Sequence, residues 1–446
     1  MRRALPVAAL ALLAATLGAC NSNDLLTVRD PDVPGPKSLT GPGALPVLLN
    51  GTIGDFAFAY LGADPNDGGG LIAGTGLLAD ELRSSTNLVV HNQIDQRNTP
   101  LISTSNLFLF RNIQIARASA DRVAAAYAQF APDSSGHALA LALSGFATLL
   151  MGESYCSGIP FSTIDATGTV ITYGDPLPTP AVWARALAKF DSAAGLPIAD
   201  AAVRNLIAIG RGRVLLDAGQ FDAAAAAVSG VPAGYHYLIG ASANTLRETN
   251  GVEFRINENG QATVSDSEGV NGLPYRSAND PRVLWANAMT TGFDGVTPLF
   301  VQLMYPTRSS SVPLATAAEA RLIEAESALQ HGDGATFLVK LNAARAEFSG
   351  LTPLASVPAS RDSQVTLLFQ ERAFSLFLTA HRLGDMRRLI RQYGRSAATV
   401  FPIGTWYRGP ASSPVDQSPY GTDVNLPIPQ EEQNNPRFHG CIDRNA

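Results

Sequence analysis

Apolar residues recur every three to four positions along much of the chain, and this spacing predicts a mainly α-helical fold. It extends over Leu107–Phe130 and, after a short break, from Gly136 to about Tyr155. Further helices are predicted over Ala181–Ala194 and Asn205–Val228.

Two segments have the pattern of a tetratricopeptide unit, which is a helix, a glycine turn and a second helix. The first is Gly212–Ala224, and a related pattern covers Ala317–Ala346. A last long amphipathic helix is predicted over Val365–Tyr393. We therefore expect tetratricopeptide-like helical hairpins over about residues 103–230 and 316–393.

The middle of the chain, about residues 232–310, has a different composition. Glycine, asparagine, aspartate and proline recur there, and Asn259-Gly260 is a strong turn signal between the runs Val252–Ile256 and Gln261–Val264. The pattern predicts a loop-rich insert with short β-hairpins, and after the last helix a C-terminal tail over 394–446. Since binding residues concentrate on loops held by a rigid scaffold, the insert is the expected ligand-binding half.

The first twenty residues have the layout of a bacterial lipoprotein signal. A short basic start precedes an apolar run that ends in Leu17-Gly18-Ala19-Cys20, which resembles a lipobox. We expect residues 1–19 to be removed as a signal peptide and Cys20 to be acylated. Residues 20–43 then tether a single domain, residues 44–446, to outer-membrane lipid. The alternative is an ordinary signal with an incidental cysteine.

Composition narrows the class of protein. Hydrophobic residues make up 46% of the 446 residues, which supports a substantial core and excludes a disordered chain. The net charge is −6 and no long basic run is present, so nucleic acid is excluded as an expected partner. The apolar stretch Ala138–Met151 is interrupted by small and polar residues, and it is predicted to be a buried core helix rather than a membrane span.

Two cysteines, Cys156 and Cys441, remain after lipidation of Cys20. An exported protein meets oxidising conditions, which favour a disulfide between them. Two unpaired buried thiols are the alternative.

The sequence has no nucleophile elbow, phosphate-binding glycine loop or HExxH pair, and its six histidines lack metal-ligand spacing. We therefore expect no enzyme activity, no cofactor and no metal site. Asp64–Gly68 has the start of a calcium loop, but Thr75 stands where an EF-hand needs a glutamate, which leaves only a looser calcium site open. Paired carboxylates for glycoside hydrolysis also stay open, because sequence does not give their separation in space.

A saccharide site needs flat aromatic faces beside hydrogen-bonding groups. We select Trp285 and Tyr275 first, because both lie in polar, turn-rich surroundings, and add Tyr305, Asn271 and Arg282. For each aromatic residue the alternative is a role as a core or loop anchor. Further candidates are Tyr235, Tyr237, Trp406, Tyr407, Asp280 and Asn287.

Three motifs resemble the SusD/RagB family of outer-membrane lipoproteins, in the order that the family has. They are Arg321–Leu329 with Leu341–Arg345, then Glu371–Arg388, and last the proline-rich Leu426–Pro436. The resemblance covers essentially residues 20–446. One departure is Thr379-Ala380, where the family commonly has Glu-Gly before its His/Tyr-Arg pair.

The resemblance implies a cell-surface lipoprotein that binds a glycan, oligosaccharide or peptide and delivers it to a TonB-dependent, SusC-like transporter of the outer membrane. It also implies that the helical hairpins face the transporter while the irregular half holds the ligand. The alternatives are a lipid-anchored glycan- or peptide-degrading hydrolase and a helical-repeat adaptor without a ligand.

The charged residues of Glu371–Arg388 are spaced close to one helical turn apart, so helix salt bridges are available. We expect Asp385, with Arg382 and Arg388, to organise packing rather than to perform chemistry.

Overall fold

The structure is a computed structural model that describes residues 41–62, 70–165 and 170–446. The predicted signal peptide, Cys20 and nearly all of the predicted tether lie outside the described residues, as does Asp64–Gly68. The described chain is mainly α-helical with short two-stranded sheets, which confirms the predicted fold class.

Several helices begin where the sequence supplies a capping side chain. Ser103, Ser134 and Thr316 each accept a hydrogen bond from the backbone nitrogen three residues later. The described helices of seven or more residues are α1 (Leu45–Leu61), α2 (Leu71–Leu78), α3 (Val89–Asp95), α4 (Thr104–Phe130), α5 (Ser135–Ser154), α6 (Thr179–Ala194), α7 (Ala201–Asp217), α8 (Phe221–Val228), α9 (Ala317–Gln330), α10 (Gly334–Arg345), α11 (Arg361–Ser375) and α12 (Arg382–Arg391).

Helices α4 to α10 form a stack in which each helix packs against the next one in the chain. Small residues make the close approaches possible. A Cβ atom on Gly210 would lie 2.4 Å from the ring of Phe190, and one on Gly212 would lie 2.5 Å from Val228. The hairpins predicted around Gly212–Ala224 and Ala317–Ala346 are present.

Helix α5 contains the apolar stretch Ala138–Met151, and 78% of its apolar portion is buried inside the protein. It is therefore a core helix, as predicted. The segment Pro42–Leu61 is also long and apolar enough to span a membrane. However, its α-helical part, α1, packs along α4.

The predicted single helix Val365–Tyr393 is wrong, because the structure has two helices there, α11 and α12. Between them the backbone is left-handed at Leu378 (φ 53°) and Ala380 (φ 59°). Side chains from distant parts of the chain bond the backbone at this bend. Leu378 N donates to Glu81 Oε1 (2.9 Å), and the Tyr60 hydroxyl donates to the carbonyl of the next residue (2.9 Å).

Short antiparallel strand pairs cover the loop-rich half and the tail. The described strands are β1 (Leu82–Ser84), β2 (Ile159–Pro160), β3 (Thr163–Ile164), β4 (Ile171–Thr172), β5 (Pro176–Leu177), β6 (His236–Ile239), β7 (Ala262–Val264), β8 (Trp285–Thr291), β9 (Pro298–Gln302), β10 (Val312–Thr316), β11 (Thr405–Arg408) and β12 (Asp416–Pro419). The pairs are β1–β7, β2–β5, β3–β4, β6–β10, β8–β9 and β11–β12.

The hairpin predicted at Asn259-Gly260 is wrong. Gly251–Glu253 and Phe254–Glu258 are consecutive helical segments, which Asn250 caps by accepting hydrogen bonds from two backbone nitrogens of the first turn. Strand β7, which follows the turn, pairs instead with β1. The short hairpin of this part of the chain is β8–β9, and β11–β12 is a hairpin of the C-terminal tail.

Asp385 is at the centre of a buried ion network on α12. It accepts hydrogen bonds from Arg372 of α11 (2.8 Å) and from Arg388 (2.9 Å), which also donates to Glu326 of α9 (2.6 and 3.0 Å). Burial opposes the charge of Asp385, but the two arginines hold the pKa of this carboxyl well below its usual range. The network joins three helices. The pair of Asp385 with Arg388 is the one that the spacing of the charges predicted, and its role in packing is as expected.

The same motif reaches the loop-rich half. Arg382, expected beside Asp385, instead donates to both carboxylate oxygens of Asp80 (2.7 and 2.9 Å). At the start of the motif, Glu371 accepts hydrogen bonds from Arg282 and Arg345 (2.6 Å each). These ion pairs fix the loop-rich half on the helical stack.

The C-terminal tail returns to the end of α5. The backbone of Leu426 donates to Ser154 O (2.9 Å) and accepts from Cys156 N (3.0 Å). Cys156 and Cys441 form a disulfide, as expected from the sequence, across a separation of 285 residues. Closing so long a loop stabilises the folded chain by up to about 5 kcal/mol in the chain-entropy account.

Candidate functional site

Tyr275, one of the two preferred ligand residues, lies in the core. Its side chain is 0% exposed, and its ring centroid is 5.4 Å from that of Phe374 and 5.0 Å from that of Phe377. Its hydroxyl donates to Asp80 (3.4 Å). The ring is enclosed by protein, so its selection as a ligand platform is wrong.

Tyr305 and Arg282 also have structural roles. Tyr305 is 4% exposed, and its hydroxyl donates to Leu378 O (3.2 Å) at the bend between α11 and α12. Arg282 is 3% exposed and forms ion pairs with Asp280 (2.7 Å) and Glu371 (2.6 Å). Their burial contradicts the prediction that these two side chains contact a ligand.

Asn271 and Trp285 are both partly exposed. Asn271 holds a loop, since its Nδ2 donates to the carbonyls of Ala398 (2.5 Å) and Phe401 (3.1 Å). Trp285 begins β8 and meets Phe300 of β9 edge to face, with 5.8 Å between the ring centroids. Of the five predicted ligand residues, Trp285 is therefore the one that lies next to a cleft, because its neighbour Phe300 lines that cleft.

Phe300 lines a cleft of about 230 Å³ in the loop-rich half, which we call the loop cleft. Strands β1, β7, β9 and β11 and the segments next to them form its walls. The charged and aromatic side chains that line it are Arg83, Asp266, Glu268, Arg276, Phe300, Tyr407 and Tyr420.

Two guanidinium groups lie over aromatic rings of the loop cleft. The guanidinium carbon of Arg83 is 4.0 Å from the ring centroid of Tyr407, and that of Arg276 is 3.5 Å from the centroid of Phe300. Arg83 also donates to the carbonyls of Tyr407 (2.5 Å) and Gly409 (3.0 Å). The cleft thus combines flat rings with cationic hydrogen-bond donors.

A pair of buried carboxyls lies below these groups. Glu268 accepts a hydrogen bond from the Tyr420 hydroxyl (2.9 Å), and Asp95 accepts one from Trp406 Nε1 (2.7 Å). Burial and the charge of Asp95 raise the pKa of Glu268 well above its usual value. Glu268 is therefore harder to ionise than an exposed glutamate.

The loop cleft can bind a ligand by stacking, hydrogen bonding and charge. Its donors and rings suit a molecule that is rich in hydroxyl or anionic oxygen atoms. Among the residues that the structure describes, no cluster of three or more His, Cys, Asp or Glu side chains is suited to a metal ion.

A second depression, of about 390 Å³, lies between α4 and the proline-rich motif of the tail. Two of its polar side chains bond other parts of the protein. Gln114 donates to Pro160 O (2.7 Å), and Arg117 donates to Ser162 O (2.7 Å) and Asp121 (3.1 Å). The loop cleft is the better candidate, because at least one of its donors, Nε of Arg276, has no hydrogen-bond partner in the protein.

Sequence reasoning missed Arg83, Arg276 and Tyr420 as cleft residues and ranked Tyr407 only among the further candidates. Arg276 shares the polar, turn-rich surroundings that drew attention to Tyr275. Arg83 had no comparable signal, since its position follows from the pairing of β1 with β7.

Solved structures with a similar fold cover nearly the whole chain. A SusD superfamily protein from Bacteroides vulgatus is 15% identical, with a TM-score of 0.59 over 90% of this chain and 98% of its own. A SusD-like carbohydrate binding protein from the same organism is 14% identical, with a TM-score of 0.61 over the same shares of the two chains. A SusD-like protein from Bacteroides fragilis is 12% identical, with a TM-score of 0.63 over 92% of this chain and 98% of its own.

No protein-family model and no curated protein matches the sequence. The likeness therefore lies in the three-dimensional arrangement of the chain. The chain has the SusD-like fold.

Proposed function

We propose that the protein binds a nutrient saccharide in the loop cleft and delivers it to a SusC-like, TonB-dependent transporter while acylated Cys20 holds it at the outer-membrane surface. The convergence of aromatic rings and guanidinium donors in one open cleft is the observation that carries this proposal. A protein of the same fold that is described as carbohydrate binding adds support.

The chemistry of the cleft fits a sugar ring. A pyranose has apolar C–H faces that pack on aromatic rings and a rim of hydroxyls that accept hydrogen bonds from guanidinium groups. Tyr407 and Phe300 supply rings, while Arg83 and Arg276 supply donors. The volume suits one sugar unit of a longer chain, whose neighbouring units extend along the exposed loops.

The carboxyls of the cleft do not favour the hydrolase alternative. A glycosidase needs two carboxyl groups that face the bond to be broken. Asp95 is 1% exposed and bound by Trp406, while Glu268 is 6% exposed and bound by Tyr420. Both groups are committed to the protein. Asp266, the other carboxyl that lines the cleft, uses Oδ1 for three hydrogen bonds with Arg276 and Ser277 of its own loop. A binding protein is therefore the simpler interpretation of the site.

Binding of a saccharide panel to the mature protein, measured by calorimetry, tests the proposed site. Trp285→Ala and Tyr407→Ala remove one ring each and should weaken binding about tenfold to a hundredfold, with little change in melting temperature. Tyr275→Ala is the matched control, because removal of a core ring should cost about 3–5 kcal/mol of stability instead.

Unchanged affinity in both ring variants would remove the loop cleft from the proposal. The same incubations, followed by chromatography of the saccharides, separate binding from catalysis. Intact saccharide supports the binding function, whereas shortened products would favour a hydrolase.

A further inference from the structure

Arg276 has a guanidinium group that forms no ion pair with the described residues. Its Nε is buried without a hydrogen-bond partner, and no ion pair to its side chain is found among the described residues. The nearby Asp266 uses Oδ1 for the backbone nitrogens of Arg276 (3.0 Å) and Ser277 (2.9 Å) and for the Ser277 hydroxyl (3.0 Å). A half-buried cation that lacks a partner is costly in the free protein.

A second cation lies in the same cleft. Arg83 interacts with Arg276 as a like charge, and burial together with Arg83 lowers the pKa of Arg276, while Asp266 acts in the opposite direction. Of the two carboxyls that line the cleft, Glu268 is buried and accepts a hydrogen bond from Tyr420, while Asp266 uses Oδ1 for its own loop. The loop cleft therefore brings two guanidinium groups together on a chain whose net charge is −6.

The surroundings of Arg276 also orient it. Its guanidinium is stacked 3.5 Å from the centroid of Phe300 and 5.7 Å from that of Trp285, so the flat group is held by rings rather than by a carboxylate. Stacking on a ring leaves the edge of the guanidinium, with its N–H groups, free to donate. A planar fork of N–H donors matches two oxygen atoms of a carboxylate or a sulfate.

We infer that the loop cleft selects acidic saccharides, with Arg276 binding the carboxylate of a uronic acid unit while Trp285 and Phe300 pack beside the sugar. This inference rests on the proposed saccharide-binding function and names the class of saccharide. An oxyanion supplies the partner that Arg276 lacks, and it neutralises the repulsion between Arg276 and Arg83.

The test compares oligosaccharides that contain uronic acid with the same molecules after their carboxyl groups have been reduced to neutral alcohols. Calorimetry on the mature protein should give at least tenfold tighter binding of the acidic form. Arg276→Gln should abolish this preference, because it weakens binding of the acidic form by more than it weakens binding of the reduced form. Arg276→Lys keeps the charge but loses the planar fork, so it should retain only part of the preference.

Arg308→Gln is the matched control. Arg308 also lies in the loop-rich half over a ring, 5.2 Å from the centroid of Phe254, but it already forms an ion pair with Glu258. This variant should keep the full preference for the acidic saccharide. Melting curves for all variants check that the fold is intact.

Equal affinity for the acidic and reduced forms, or a preference that survives Arg276→Gln, would overturn the inference and leave the proposed function standing. A stronger preference for sulfated saccharides of equal length would overturn the choice of a carboxylate. Binding of acidic peptides without binding of any saccharide would overturn the proposed function itself.

Discussion

At the scale of single residues, Glu268 has the most unusual chemistry in the loop cleft. Burial and Asp95 raise its pKa, whereas the charge of Arg83 and the hydrogen bond from Tyr420 act in the opposite direction. A carboxyl whose pKa is raised by folding contributes stability below its unfolded pKa, and the contribution is lost as pH rises through the folded pKa. Glu268 therefore lowers the stability of the folded chain as pH rises above the unfolded pKa of a glutamate.

Glu268→Gln should reduce this loss of stability with rising pH. The amide is neutral at every pH, can donate to Asp95 and can accept from Tyr420, so stability near pH 5 should stay within about 1 kcal/mol of the natural protein. As pH rises, the natural protein should lose stability faster than the variant. Urea unfolding at several pH values measures the difference, and parallel pH profiles for the two proteins would contradict the assigned shift.

Tyr275 and Arg276 show how far sequence reasoning reaches into this site. The polar, turn-rich pattern identified the correct segment, but the pattern does not say which of two neighbours points into the protein. Tyr275 packs on Phe374 and Phe377, while Arg276 lies over Phe300 of another strand. Only the placement of α11 and β9 decides between them, and that placement depends on distant parts of the chain.

At the scale of elements, the helical stack was predictable and the bend between α11 and α12 was not. The stack follows from local spacing of apolar and small residues, which Ala317–Ala346 displays directly. The bend contains no glycine or proline between Leu376 and His381. It exists because Glu81 and Tyr60, far away in sequence, bond its backbone.

The ion network of α12 leads to a stability prediction. Asp385→Asn should lower the free energy of unfolding by about 3–5 kcal/mol near neutral pH, because it leaves Arg372 and Arg388 buried with too little negative charge. Since the pKa of Asp385 is lowered by folding, its contribution is present above the unfolded pKa and is lost as pH falls. Denaturant unfolding should show the difference between the two proteins shrinking in acid.

Asp362→Asn is the control for this prediction. Asp362 of α11 also pairs with an arginine, Arg395 (3.0 Å), but its side chain is 85% exposed. Screening by water limits such a pair, so its loss should change stability by less than about 1 kcal/mol. Equal effects of the two substitutions would show that burial of the network is not what makes it stabilising.

At the scale of the whole molecule, the loop cleft is assembled from segments that span most of the chain. Arg83, Glu268, Phe300 and Tyr407 come from four separate stretches of sequence. The ion pair of Arg382 with Asp80 and the pairs of Glu371 hold these stretches on the helical stack. The sequence motifs indicated the fold because they contain Glu371 and Arg382, the residues that make these ion pairs. The residues that line the cleft lie outside the three motifs, so the motifs did not indicate the site.

The final prediction concerns attachment of the mature molecule to the membrane. Cys20→Ser should prevent acylation and move the protein from the membrane fraction to the soluble fraction, because lipid chains on one residue carry the proposed affinity for the bilayer. A Cys156→Ser, Cys441→Ser double variant is the control, since it loses the disulfide but keeps Cys20 and should stay with the membrane. Immunoblots of both fractions after salt and carbonate washes measure the outcome. Retention of Cys20→Ser in washed membranes from cells without the transporter would rule out the lipobox interpretation.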